Sequence, residues 1–129
     1  MSEPARYFTL AQAQAALDIL RPLVVEIMEI RQSILEREPE VWPVVAKAAG
    51  NGGNRIASQL AQEFGRLDQA LRAILATGAL LKDINLGLVD FPSLQAGREV
   101  YLCWKYGEET ISFWHEINAG FSGRQPLSP

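Results

Sequence analysis

The stretch REVYLCWKYGEETISFWHEI, Arg98 to Ile117, decides how this chain is read. Both ends are rich in aromatic and β-branched residues and Gly107 stands between them, so REVYLCWKY and TISFWHEI read as two strands of a hairpin. A turn centred on Gly107 and Glu108 sets Lys105 opposite Thr110 and His115 opposite Val100. Side chains alternate along a strand. One face then carries Arg98, Val100, Leu102 and Trp104 against Ile117, His115, Phe113 and Ile111, and is the expected core face. The other carries Glu99, Tyr101, Cys103 and Lys105 against Glu116, Trp114, Ser112 and Thr110.

This pairing governs the chemistry the stretch can perform. Cys103 and His115, the only cysteine and the only histidine, fall on opposite faces, which disfavours a nucleophilic dyad; an odd-length turn or a bulge would reverse that parity. Cys103 reads as a small half-buried hydrophobe. Without a CxxC, an HxxxH or a second histidine, a four-ligand structural zinc centre has no support. A carboxylate-rich site for a divalent ion stays open, with His115, Asp83, Asp90 and Glu116 as candidate ligands, although neighbours such as His115 and Glu116 point to opposite faces. The competing reading of His115 is a buried side chain hydrogen-bonded to a nearby acid. Asp83, Asp90, Glu108 and Glu116 can equally include a general acid and base pair, or stand as exposed turn and edge carboxylates. In GFSGR, Gly120, Gly123 and Arg124 form either an anion clamp or a glycine turn with a salt-bridged arginine. Tyr101 and Trp114 make an aromatic patch suited to a ligand or partner if nothing covers them. The ligand-binding candidates are therefore Arg98, Tyr101, Trp114, His115, Glu116 and Arg124, and no cofactor is identified.

Upstream, FTLAQ announces a helix. Thr9 is placed to accept from the backbone of Gln12 while the Gln12 side chain reaches back. Apolar residues recur at Leu10, Ala13, Leu17, Leu20, Val24, Ile27 and Ile34, with Ala16, Leu23 and Ile30 widening the stripe. The helix is expected to reach about Arg37, because Pro39 disfavours helical geometry at Glu38, and to kink at Pro22. Pro43 opens a short helix in the connection, and Gly50, Gly52 and Gly53 make a loop. A second long helix carries Ile56, Leu60, Phe64, Leu67, Leu71 and Ile74 and ends at Gly78. Beside that face run Ala57, Ala61 and Gly65, a spacing that either admits a close helix neighbour or simply tolerates glycine. Turn signals at Asn85 to Gly87 and Gln95 to Gly97 lead into the final hairpin.

The expected fold is α+β in one domain over residues 1–129. A long antiparallel helical hairpin spans 10–78 with a loop at 39–53, a small antiparallel β-meander spans 79–118, and 119–129 is coil. Two amphipathic helices leave more stripe than a small sheet covers, so a homodimer in the form of a four-helix bundle is expected.

Composition narrows the function classes. Net charge is −3 over 129 residues, and neither half is basic, so a nucleic-acid role is disfavoured. Apolar runs such as AILATGALL fall short of the roughly 20 residues that cross a bilayer, a lone cysteine closes no intramolecular disulfide, and MSEPARYF has no apolar signal core. These features predict a cytoplasmic protein away from membranes.

The block KDINLGLVDFPSLQAGREVYLCWKYGEETISFWHEINAGFSGRQPL resembles the C-terminal part of a bacterial family catalogued as domain of unknown function 2203, and YFTLAQAQAALDILRPL resembles its N-terminal helix. Lys82, Asp83, Asp90, Arg98, Cys103, Trp104, Glu108, Trp114, His115, Glu116 and Arg124 occupy its motif positions. The resemblance implies no activity. Two readings follow from the residues: a non-catalytic binding or assembly module that homodimerises through its helices and presents an aromatic and acidic surface to a protein or small molecule, or a metal-binding protein or metal-dependent enzyme built on His115 and nearby carboxylates.

Overall fold

A computed structural model describes residues 7–49 and 61–127. Its elements are α1 (Leu10–Arg37), α2 (Trp42–Ala48), α3 (Ala61–Ala76), β1 (Leu80–Asp83), β2 (Leu88–Gln95), β3 (Arg98–Lys105), β4 (Phe113–Glu116) and β5 (Gln125–Pro126). The fold is α+β, helices first and then an antiparallel five-stranded sheet in the order β1-β2-β3-β4-β5. Between α1 and α3, Trp42–Ala48 forms the short helix expected at Pro43, so the helical part has three helices rather than a simple hairpin. Ile56, Leu60 and the glycines of the loop lie outside the described residues.

Helix α1 begins where its cap dictates. Thr9 Oγ1 accepts from the Gln12 backbone N–H at 3.1 Å, and Gln12 Oε1 accepts from the Thr9 N–H at 2.9 Å. The helix runs unbroken through Pro22 to Arg37. Its buried side chains are Ala13, Leu17, Leu20, Val24, Ile27, Ile30 and Ile34, the three-and-four spacing that gives a helix one apolar face. This stripe meets Leu67, Ala70 and Ile74 of α3 and the inner sheet residues Val89, Phe91, Leu102 and Trp104 in one core. Arg37 pairs with Glu63 and Arg66 pairs with Glu26, so residues rising along α3 meet residues falling along α1.

Chain chemistry positions the sheet at three points. Asp83 Oδ1 accepts from the N–H groups of Asn85 and Leu86 at 2.8 and 3.1 Å, closing the β1–β2 turn. Asn85 Oδ1 in turn accepts from Arg31 at 3.0 Å and from the Trp42 indole at 2.9 Å. Ala96 and Gly97 both adopt positive φ, the conformation that a two-residue hairpin between Gln95 and Arg98 requires. Pro92 lies inside β2 without breaking it: β1 pairing reaches only to Asp90, and beyond that point the Pro92 carbonyl accepts from the Phe8 N–H at 2.7 Å. Its missing N–H therefore costs no ladder bond.

Two expectations are corrected here. The tail does not remain coil, since a 3-10 turn at Phe121–Gly123 leads into β5, which pairs with β4. The register of the final hairpin also differs by one residue: Val100 faces Glu116, Tyr101 faces His115, Leu102 faces Trp114 and Cys103 faces Phe113. The physical cause is the connection, which is a wide loop over 106–112 held against α1. Arg21 donates to the carbonyls of Glu108 and Glu109 at 3.1 and 2.8 Å, and Gln14 both donates to the Ile111 carbonyl and accepts from its N–H. Ile111 is thereby buried beside the helices instead of extending β4. Trp114 and Glu116 move to the helix-covered face, and His115 and Phe113 move to the far face with Tyr101 and Cys103.

Candidate functional site

The changed register assembles a cluster on the far face. Asp90 on β2 stands directly opposite Cys103 on β3, and His115 on β4 stands opposite Tyr101, two residues from Cys103 and on the same side of the sheet. Asp90, Cys103 and His115 are only 2%, 0% and 1% exposed. Their carboxylate, thiol and imidazole atoms all lie within 4.8 Å of one another.

Hydrogen bonding fixes how the histidine is held. His115 Nδ1 lies 2.7 Å from the Glu116 carbonyl oxygen, which can only accept, so Nδ1 carries a proton. Nε2 lies 3.0 and 3.1 Å from the two Asp90 oxygens. One further proton sits in that contact, and the pair is neutral overall whichever partner holds it. A neutral, mutually bonded pair is the form in which an acid and a base tolerate burial.

Cys103 shares the face of His115, against the expectation of opposite faces. The thiol is still not an armed nucleophile. Burial, reinforced by the Asp90 charge and partly offset by Arg124, pushes it up to about 12, so at neutral pH it stays protonated.

The tail closes over the Cys103 end of this cluster. The Arg124 guanidinium lies over the rings of Phe113 and Phe121, 4.1 and 4.9 Å from their centroids. It donates to both Glu108 oxygens at 2.8 and 2.7 Å and to the Cys103 carbonyl at 3.3 Å. Burial alone would raise the Glu108 carboxyl, but this fork and the Lys105 backbone N–H outweigh it and hold the group below its ordinary value. Of the two readings of GFSGR, the geometry matches the salt-bridged arginine.

The remaining candidates lie apart from this centre. Asp83 closes its turn, Arg98 pairs with Glu116 at the sheet margin, and Trp114 packs against the helix-side core. Tyr101 touches the centre through its ring, 5.4 Å from that of His115, and carries the Lys82 ammonium 4.8 Å above its own. Beside Tyr101 opens a cavity of about 300 Å³ lined by Tyr7, Leu80, Pro92, Glu99 and Ile117 among others. The Tyr7 hydroxyl donates to Glu99 there, and this bond holds the phenol's proton more tightly than usual.

Cys103 as a neighbour of Asp90 and His115 is the grouping that sequence spacing did not reveal. Its only signal is that the three residues recur every 12 or 13 positions in a meander, which becomes a contact once both registers are known.

The fold and this centre define an α+β protein with a buried Asp–His–Cys cluster on the face of a β-meander away from the helices. The chain belongs to the family described as uncharacterized conserved protein DUF2203, whose model matches residues 6–127. Comparison with curated proteins and with solved structures gave no match. Among the described residues no helix is long and apolar enough to cross a membrane.

Proposed function

We propose that this protein is a non-catalytic assembly and binding module that forms a homodimer through its helices. The observation that carries this reading is a second apolar stripe on α1. Ala11, Ala15, Ile19 and Pro22 are all exposed and follow one another at helical spacing, on the side away from the buried stripe. Ile19 is 63% exposed and Leu75 of α3 is 64% exposed, more than a lone surface hydrophobe needs explaining. A groove of about 300 Å³ lined by Gln12, Ala15, Ala16, Ile19 and Thr77 adjoins them. A protruding side chain beside a groove of small residues is self-complementary, the property of a two-fold contact between copies of one chain.

In this reading α1, bent at Pro22, and α3 act as an antiparallel helical hairpin, and two copies make a four-helix bundle in the cytoplasm. Catalysis is disfavoured because the chemically suggestive side chains bond one another: Asp90 to His115, Arg124 to Glu108 and Arg98 to Glu116. The surface left for a small molecule or protein is the aromatic and acidic hollow of Tyr7, Glu99 and Tyr101. Light scattering is expected to give a dimer mass at micromolar concentration, and Ile19→Glu a monomer of unchanged helicity. A monomeric wild-type protein at that concentration sinks the reading.

A further inference from the structure

We infer that Asp90, Cys103 and His115 form a binding site for one borderline transition-metal dication of the zinc(II) class, with Asp90 Oδ1, Cys103 Sγ and His115 Nε2 as ligands.

Spacing is the first argument. Ligands at about 2.0 to 2.3 Å from a tetrahedral ion stand roughly 3.3 to 3.6 Å from one another. His115 Nε2 and the Asp90 oxygens, at 3.0 and 3.1 Å, are already close to that separation. The cysteine sulfur lies within 4.8 Å of both, so a side-chain shift of at most about 1.5 Å completes the set at these separations. Three adjacent strands carry the ligands, which fixes their positions better than a loop would.

The second argument is independent of spacing. Metal-bound histidines almost always donate their other ring N–H to a carbonyl or carboxylate, which sets the tautomer and turns the free nitrogen to the ion. His115 Nδ1 makes that bond to the Glu116 carbonyl at 2.7 Å, leaving Nε2 directed at Asp90, with the Cys103 sulfur within 4.8 Å.

Charge and donor type name the metal. A thiolate, a carboxylate and a neutral imidazole sum to −2 and neutralise a dication inside a buried site. Thiolate with imidazole favours zinc over the oxygen-seeking magnesium and calcium. The reaction balances: the ion enters, the sulfur–metal, oxygen–metal and nitrogen–metal bonds form, and two protons leave to solvent, one from the thiol and one from the His115–Asp90 contact. Three protein ligands leave one position of a tetrahedron for water or another small donor.

The test uses untagged protein, unfolded and refolded with cobalt(II) and then desalted. We expect one cobalt per chain and a near-ultraviolet thiolate-to-cobalt band that zinc abolishes and that Cys103→Ser lacks. Asp90→Asn and His115→Gln, with wild-type circular dichroism, should each weaken cobalt retention by more than the roughly 10- to 100-fold that loss of an outer-shell partner costs. Folded wild-type protein without the band overturns the inference, as does a band of unchanged strength and affinity in both of those variants, which would mean an adventitious ion on the thiol alone. Should the variants fail to fold, X-ray absorption at the zinc edge of the wild-type protein decides the matter: one sulfur among nitrogen and oxygen neighbours supports the site, and a shell without sulfur overturns it. None of these outcomes depends on the dimer.

Discussion

The two faces of the sheet are closed by different means. Over Val89, Phe91, Leu102 and Trp104 lies the 28-residue helix α1, whose seven buried apolar side chains form one contiguous core with them. On the other face, which carries Asp90, Cys103 and His115, a short tail closes the Cys103 end through Arg124 and two phenylalanines. Burying apolar area is non-directional and scales with the surface covered, so the helix layer needs only the right spacing. The tail layer covers polar groups that must each find a partner, so it depends on particular bonds. One face should therefore fail globally when its packing is damaged, and the other locally when a bond is removed.

The largest effect is expected under the helix. Trp104 is fully buried, donates from its indole to the Glu108 carbonyl at 2.9 Å, and lies beneath the Arg21 guanidinium, 5.6 Å from the ring centroid. Trp104→Ala should cost about 3 to 5 kcal/mol through the cavity and lost transfer energy. Urea denaturation should show a lower midpoint with a single transition. Loss below about 1 kcal/mol would mean that α1 does not rest on the sheet as described.

An intermediate effect belongs to the tail. Arg124→Ala removes a two-pronged bond to a partly buried carboxylate, and bonds to charged groups are worth about 1.5 to 3 kcal/mol; partial exposure of Glu108 puts the expectation near the lower end. The pH dependence has a definite sign. The folded carboxyl of Glu108 lies below its ordinary 4.5, so the pair's contribution is complete above that value and disappears as pH falls through the lower, folded one. The stability gap between wild type and Arg124→Ala should shrink in acid; a gap independent of pH would assign the loss to packing on Phe113 and Phe121. Because the damage is local, Cys103 should also react faster with thiol reagents in the variant than in the wild type, under conditions where both remain folded.

The same contrast explains which parts of the fold were legible in the sequence. Helix α1 was readable from cap to end, because Thr9, Gln12 and a periodic stripe are local signals. The α+β order and the turns at Asn85 to Gly87 and Gln95 to Gly97 were readable for the same reason. The register of β3 and β4 was not, since Gln14 and Arg21 set it from 87 to 97 positions away. A one-residue change exchanges faces, and with it Cys103 and His115 passed from separated to clustered. Strand β5 carries no alternation that a two-residue segment could show. Asp90 and His115 were both named as candidates, yet their meeting depended on strand pairing that composition does not encode.

The smallest effect tests whether the helix layer is held by close approach or by area alone. Gly65 sits in the described part of α3 at a spacing suggestive of a tight helix contact, but a Cβ added there would meet no atom within 4 Å. Gly87, at the sheet turn under α1, is the opposite case: its φ is +66° and a Cβ would lie 2.7 Å from that of Tyr106 and 3.2 Å from Val24, so α1 comes close to the backbone at this turn and not at Gly65. Gly65→Ala should therefore stabilise the fold by about 0.5 to 1 kcal/mol, the difference in helix propensity, raising the thermal midpoint by a few degrees. A loss of stability instead would mean that another surface, such as that of a second copy, packs against Gly65, and would move the dimer contact from Ile19 toward α3.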